Sequence, residues 1–192
     1  MRITILLAFS LAAIACDGQP TRSAGDADAA AGAAAAPSSA SNDAGAGADS
    51  AFAALQERGR VAMGVDQYTS THVFDSLEDG GRIELQRNED DPEGTEAIRR
   101  HLQHIAEAFS RGDFRIPGFV HAQEVPGTRV MAERREHITY TFRELPRGGE
   151  VRITTQDPAA LAAIHEFLAF QRMDHRAGGK EPGEHGPGGH AH

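Results

Sequence analysis

The chain has 192 residues, 40% of them hydrophobic, and a formal net charge of −9 at pH 7. This acidic balance argues against nonspecific binding to nucleic acid, because that affinity rests on Lys and Arg side chains that neutralise phosphates. The single cysteine, Cys16, excludes an intramolecular disulfide and a zinc site built on several thiolates. We expect one folded domain of modest size.

Residues 1–16, MRITILLAFSLAAIAC, combine a charged start, an apolar run of signal-peptide length and small residues before the cysteine. The run is too short for a comfortable membrane span. Its end, from Ala13 to Cys16, resembles a bacterial lipobox, although Leu is the usual residue where Ala13 stands. We therefore expect export to the periplasm or cell envelope, with Cys16 acylated as a membrane anchor. The alternative is a soluble secreted protein cleaved near the same place.

Three further segments follow from composition. Residues 17–50 are rich in Ala, Gly, Ser and Asp with almost no large apolar residue, which predicts a disordered tether. A single α+β domain is expected over residues 51–178, opening with a short helix from Ala51 to Arg58 whose Phe52 and Leu55 face inward. The Gly- and His-rich residues 179–192 predict a disordered tail.

Two segments follow the same pattern and predict an internal repeat. Residues 74–85 and 142–153 share Phe, Leu, Gly-Gly and aliphatic residues at corresponding positions, and Asp-Pro and then Ala-Ile follow each. Gly-Gly between alternating strands predicts a hairpin turn with positive φ. Asp before Pro predicts a helix N-cap followed by the first helical residue.

The pattern therefore predicts a strand, a turn, a second strand and a helix in each copy, at about residues 69–112 and 136–176. The fold class is α+β: two ββα units form an antiparallel sheet with two helices packed on one face. In the first helix, apolar residues fall on one stripe at helical spacing: Ile98, Leu102, Ile105 and Phe109. Between the copies, Phe119 to Ala122 is a candidate short strand.

His72 is the histidine that the repeat places most clearly. Ile138, Tyr140 and Phe142 alternate onto one strand face, and the repeat aligns His72 with Tyr140, so His72 is predicted to point toward the helices. A buried imidazole needs a partner or a ligand, because burying it unsatisfied costs free energy. The alternatives are a core histidine bonded to a backbone carbonyl and a metal ligand.

Four more residues complete the candidate metal set. His101 and His104, three residues apart on the first helix, point to roughly the same side, so that both can reach one ion or one can bind while the other is solvated. His121 and Met131 lie in the segment between the repeats. Imidazoles with a thioether suit copper, whereas three imidazoles alone suit zinc. Met131 as plain core filler is the alternative.

The remaining histidines receive simpler interpretations. His137 and His165 are expected to lie off the apolar faces, and His175 is expected to interact favourably with the C-terminus of the second helix. The tail histidines, His185, His190 and His192, can capture metal loosely or stay solvent-exposed. No G-x-S-x-G, P-loop, G-x-G-x-x-G unit or H-E-x-x-H motif appears. An enzyme without a standard motif stays an alternative.

Several stretches of the folded part carry a resemblance. They are GVDQ at 64–67, THVF at 71–74, IRRHLQHI at 98–105, FVH at 119–121, ITYTF at 138–142 and IHEFLAFQ at 164–171. In these the chain resembles an uncharacterised family of exported bacterial proteins, sometimes labelled aspartate carbamoyltransferase. The chain has no S-T-R-T-like phosphate loop, and its folded part is too short for that two-domain enzyme. The resemblance therefore implies a one-domain exported protein and no transferable activity.

The sequence as a whole predicts a membrane-tethered periplasmic domain that binds a transition metal. Copper is favoured and zinc is possible, with ligands from His72, His101, His104, His121 and Met131. Such a protein would buffer the metal or hand it to a partner protein. The alternative is a metal-free envelope module that binds a protein or small molecule. The sequence leaves the oligomeric state open.

Overall fold

The computed structural model describes residues 40–182, and from residue 47 onward it describes side chains as well. The predicted signal segment at residues 1–16 lies outside the described residues. So do residues 17–39 of the predicted tether and residues 183–192 of the predicted tail.

Five α-helices and four β-strands make up this part of the chain. In chain order they are α1 (Ala40–Met63), β1 (Ser70–Leu77), β2 (Gly80–Arg87), α2 (Pro92–Ser110), α3 (Arg115–His121), α4 (Thr128–Glu133), β3 (Ile138–Leu145), β4 (Gly148–Thr155) and α5 (Pro158–Asp174). The strands form one antiparallel sheet in the order β1-β2-β4-β3. This confirms the predicted α+β fold. No helix within the described range has the length and apolar composition needed to cross a bilayer.

The two repeat helices begin where Asp-Pro predicts. Asp91 accepts a hydrogen bond from the amide of Gly94, and Asp157 accepts from the amides of Ala159 and Ala160. In both helices proline follows as the first helical residue. The capping carboxylates satisfy amides that have no partner within the helix.

The glycine pairs do not form the hairpin turns, which is a correction to the prediction. Residues 78–79 and 146–147 make the turns, and each Gly-Gly opens the following strand. A Cβ on Gly80, whose φ is +145°, would lie 2.1 Å from the carbonyl oxygen of Ile153. A Cβ on Gly81 would lie 2.1 Å from Cδ1 of Leu168. The pairs are glycine because neighbouring backbone and the overlying helix leave no room for a side chain.

The two repeats meet at the central strands, β2 and β4, which pair antiparallel with equivalent residues in reciprocal positions. Gly81 on β2 lies opposite Ile153 on β4, and the equivalent Gly149 on β4 lies opposite Leu85 on β2. Helix α2 packs mainly on β3 and β4, whereas α5 packs mainly on β1 and β2. Each repeat helix therefore covers the hairpin of the other repeat.

Helix α1 extends further than predicted. The sequence assigned residues 40–50 to the tether and a helix to residues 51–58, but α1 begins at Ala40 and continues to Met63. Residues 40–50 mix Ala with Gly, Asp, Asn and Ser, which have lower helix propensities than Ala, so intrinsic propensity does not account for the longer helix. Toward its C-terminal end α1 buries Leu55 and Met63 and packs against α2 and α3.

The segment predicted as a strand at residues 119–122 is helical instead. Pro117 is in the first turn of α3, where a missing amide hydrogen costs little. Pro117, Val120 and His121 are buried while Phe119 is exposed. This burial follows a helical period and not the alternation of a strand.

Gly178 and the first residues of the predicted tail run along β1, so the tail is not disordered from its first residue as predicted. Gly178 forms a parallel bridge with Val73, and its carbonyl accepts a hydrogen bond of 2.9 Å from the amide of Phe74. The carbonyl of Lys180 accepts from the amide of Ser76 at 2.8 Å. The segment therefore satisfies backbone groups on the outer edge of β1, which an edge strand otherwise leaves unpaired.

Candidate functional site

A pocket of about 80 Å³ lies between the β1–β2 hairpin and helices α1, α2, α3 and α5. Four imidazoles line it, together with two side-chain amides and an apolar remainder. The imidazoles belong to His72, His101, His121 and His175, and the amides to Gln67 and Gln171. The apolar walls include Met63, Phe74, Leu85, Ile105, Phe109 and Phe167. No Lys, Arg, Asp or Glu lines this pocket.

His72 enters the pocket from β1 and confirms the predicted inward orientation. The next inward residue, Phe74, is buried in the core. Asp75, which follows Phe74, points to the opposite sheet face and forms an ion pair with Arg82. Burial, followed by the nearby His101, lowers the pKa of His72 to about 4. A hydrogen bond with the backbone of Ser70 opposes that shift. His72 is therefore an uncharged imidazole at neutral pH.

His101 enters from α2, at the edge of the apolar stripe. Burial lowers its pKa to about 4, and a hydrogen bond with the backbone of Ala62 on α1 opposes the shift. His104, one turn further along, is exposed and does not line the pocket. Three residues fall short of a full helical turn by about 60°. This offset is enough to place the ring of His101 inside the protein and that of His104 in solvent.

His175 is the pocket residue that sequence reasoning assigned to another role. It follows α5 directly, and its ring is nearly parallel to that of His72, with 9° between the planes and 5.6 Å between the centroids. Burial, followed by the neighbouring His72 and His121, lowers its pKa to about 2. The expected interaction of a charged His175 with the helix C-terminus is therefore wrong, since the ring is neutral.

The side chain of Gln67 meets His175 inside the pocket. Gln67 begins a 3₁₀ turn between α1 and β1, and its Oε1 lies 3.1 Å from Nδ1 of His175. No sequence pattern indicates this pair, since the residues lie on segments that only the tertiary fold brings together.

His121 reaches the pocket from α3 with both ring nitrogens already engaged. Nδ1 is hydrogen-bonded to the carboxylate of Asp174, and Nε2 lies 3.0 Å from Oε1 of Gln171. Both partners belong to α5, so this imidazole fastens α3 to α5. Because neither nitrogen is free, His121 is placed beside the pocket as a structural neighbour and not as a ready ligand.

The methionine in the pocket is not the one that the sequence indicated. Met131 on α4 is fully buried in the core and does not line the pocket. Met63, the last residue of α1, does line it. A thioether is therefore available at the pocket wall, from a different element.

The arrangement of the rings bears on what the pocket can bind. Within residues 40–182, no three His, Cys, Asp or Glu side chains already form a group that could hold a metal ion. Ring centroids are nevertheless 5.6 Å apart for His72 and His175. With metal–nitrogen bonds of about 2.0 Å, two imidazoles on one ion have centroids about 5–6.5 Å apart. The separation of these two rings is therefore compatible with a shared ion.

Comparison of the chain with protein-family models, with curated proteins and with solved structures finds no match in any of the three.

Proposed function

We propose that this domain binds one transition-metal ion in the pocket through His72, His101 and His175. The observation that carries the proposal is that three uncharged imidazoles, from β1, α2 and the end of α5, line one small and largely apolar pocket. Only the neutral form of an imidazole has a lone pair to give to a metal. Burial keeps all three in that form at neutral pH.

The hydrogen bonds around the pocket support the same assignment. His72 bonds with the backbone of Ser70, His101 with the backbone of Ala62, and His175 with the amide oxygen of Gln67. A metal-bound histidine usually donates its second ring N–H to such an oxygen, which fixes the ring and its tautomer. One nitrogen of each imidazole is thereby held, and the other is left for an ion.

Copper(I) is the ion that this donor set suits best, with zinc as the second choice. The lining residues supply neutral imidazoles and the thioether of Met63, and no carboxylate or thiolate. Soft donors favour Cu(I). Placing an uncompensated charge in an apolar pocket costs free energy, and this cost is larger for a divalent ion than for a monovalent one.

Metal buffering or transfer at a bacterial membrane is the role we propose for such a site. The lipobox-like end of residues 1–16 supports an exported protein anchored through acylated Cys16. The partner would be a protein that receives or donates the ion. Labelled palmitate should enter the wild-type protein and not a Cys16→Ser variant, and equal labelling of both would contradict the anchor.

Metal titration tests the proposed site. The protein is used with His185→Ala, His190→Ala and His192→Ala, which remove the tail ligands, and Cu(I) and Zn²⁺ are titrated against a competing chelator. We expect one ion per chain. His72→Ala, His101→Ala and His175→Ala should each weaken binding, whereas the exposed His104→Ala and His137→Ala should not. Equal binding by all five variants would overturn the proposal.

The apolar walls favour a second candidate, a metal-free module that holds a small apolar molecule. About 80 Å³ is room for a ligand of a few non-hydrogen atoms, and a purely apolar cavity of about 150 Å³ is known to take up xenon. Xenon shifts in methyl NMR spectra would report such binding. Shifts at Leu85 and Ile105 together with an absence of metal binding would favour this candidate over the first.

A further inference from the structure

We infer that Gln67 is a positioning residue that fixes the tautomer of His175, so that Nε2 faces the pocket as the ligating nitrogen. This inference rests on the proposed metal site. Gln67 is buried, and its Oε1 lies 3.1 Å from Nδ1 of His175. An amide oxygen accepts hydrogen bonds and cannot donate them, so Nδ1 carries the hydrogen and Nε2 keeps its lone pair.

Gly59 on α1 leaves the space that the side chain of Gln67 occupies. A Cβ on Gly59 would lie 1.3 Å from Nε2 of Gln67 and 2.5 Å from its Cδ. Gly59 has a poor helix propensity, yet it is inside α1. The side-chain amide of Gln67 occupies the space beside Gly59, with the amide nitrogen of Gln67 toward α1 and its oxygen toward His175.

Hydrogen bonds also hold the backbone turn that contains Gln67. Asp66 caps the 3₁₀ turn by accepting a hydrogen bond from the amide of Tyr68 at 2.8 Å. Arg87 donates to the Asp66 carbonyl at 3.3 Å and to Oγ1 of Thr69 at 2.6 Å. The turn is thus tied to the end of β2, so the amide cannot easily leave its place beside His175.

The tautomer can be read directly on the metal-free protein. Long-range ¹H–¹⁵N correlation spectra distinguish the protonated from the unprotonated ring nitrogen of His175. We expect hydrogen on Nδ1 in the wild-type protein and in Gln67→Glu, since a carboxylate also accepts. In Gln67→Leu both tautomers should appear, and Cu(I) affinity should fall about 10–100-fold, the usual effect of losing such a partner.

Matched variants separate positioning from general stability. Gln56→Leu removes a buried amide from α1 whose Oε1 has no hydrogen-bond partner, and it should change neither tautomer nor affinity. Gly59→Ala should displace the Gln67 amide and reproduce the Gln67→Leu spectrum, which keeps the test open if Gln67→Leu folds poorly.

An unchanged tautomer in both Gln67→Leu and Gly59→Ala would overturn the inference. Because the tautomer is read without metal, a wild-type protein that binds no metal would overturn the proposed function separately.

Discussion

The rings of His72 and His175 stack between β1 and the end of α5 with 9° between their planes, whereas those of Tyr140 and Phe109 meet edge to face, at 72°, between β3 and α2. The ring centroids are 5.6 Å apart in the first pair and 5.8 Å apart in the second. The repeat aligns His72 with Tyr140, and the spacing that aligns Asp91 with Asp157 also aligns Phe109 with His175. Equivalent positions thus hold two imidazoles in one half and two carbocyclic rings in the other.

The two halves of the fold place different side chains around these equivalent positions. In the Tyr140 half, aromatic rings fill the space, with Phe114 and Phe167 also packed against Phe109. In the other half the two imidazoles border the pocket, and Phe109 and Phe167 also reach it as part of its apolar wall. Equivalent positions of the fold therefore accommodate carbocyclic rings of similar size in one half and imidazoles in the other.

Exchanging the imidazoles for the residues of the other half should therefore preserve the fold and remove the site. We expect the double variant His72→Tyr/His175→Phe to keep the wild-type circular dichroism spectrum and to lose high-affinity Cu(I) binding. A variant that folds and binds copper as tightly as the wild-type protein would show that these two rings are not ligands.

The free energy of unfolding should decrease as the pH is lowered, because the buried imidazoles are uncharged in the folded state. The pKa values of His72 and His101 are about 4 in the folded state, below the value of about 6.5 in an unfolded chain. Between these values the unfolded state binds more protons, so the free energy of unfolding decreases as pH falls from about 6.5 to about 4. The loss should be roughly 2–3 kcal/mol for each histidine.

Urea denaturation between pH 7.5 and 4.5 measures this dependence. Carboxylates titrate in the same range, so the informative quantity is the difference between wild-type and His101→Gln proteins. The variant should show a shallower decline, with the two curves converging toward low pH. Parallel curves would mean that His101 titrates alike in the folded and unfolded states.

His121 should matter for stability and not for metal binding. His121→Gln removes the bond to Asp174 and leaves that carboxylate without its partner on α3, which should cost about 1–3 kcal/mol. Copper affinity should stay close to that of the wild-type protein. If affinity falls as far as in His175→Ala, then His121 exchanges its bonds for the metal and belongs to the ligand set.

The first glycine of each pair should be intolerant of substitution to a similar degree. A Cβ on Gly80 would lie 2.1 Å from the Ile153 carbonyl, and a Cβ on Gly148 would lie 2.0 Å from the equivalent Leu85 carbonyl. Gly80→Ala and Gly148→Ala should each cost about 1–3 kcal/mol, because backbone must shift. Gly47→Ala on α1, with nothing within 4 Å of the added Cβ, should instead stabilise by about 0.5–1 kcal/mol. Thermal denaturation compares the three.

Local chemistry explains why much of the fold is predictable. Asp-Pro pairs start both repeat helices, and strand alternation places His72 and Ile138 toward them. These features depend on neighbours in the chain. The glycine pairs marked the hairpins correctly but suggested the wrong residues for the turns, because their function is to make room for neighbouring backbone and the overlying helix.

The candidate site was less accessible to sequence reasoning because it depends on long-range packing. His175 comes near His72 only because α5 crosses the hairpin of the other repeat. Nothing in the spacing of Gln67 or Met63 indicates their neighbours. The apolar stripe of α2 passes beside His101 and leaves His104 further round the helix, but only the packing of the helix on the sheet shows that His101 lines a pocket and His104 does not.

X-ray absorption spectroscopy on the metal-loaded protein tests the central claim most directly, because it identifies the ligands themselves. The protein carries alanine at the three tail histidines and is loaded with one equivalent of Cu(I) or zinc. We predict three nitrogen ligands with imidazole multiple scattering, at about 2.0–2.1 Å for zinc. These features should be absent when His72, His101 and His175 are all replaced by alanine. A spectrum without imidazole scattering, or one that the triple replacement leaves unchanged, would contradict the proposed metal site.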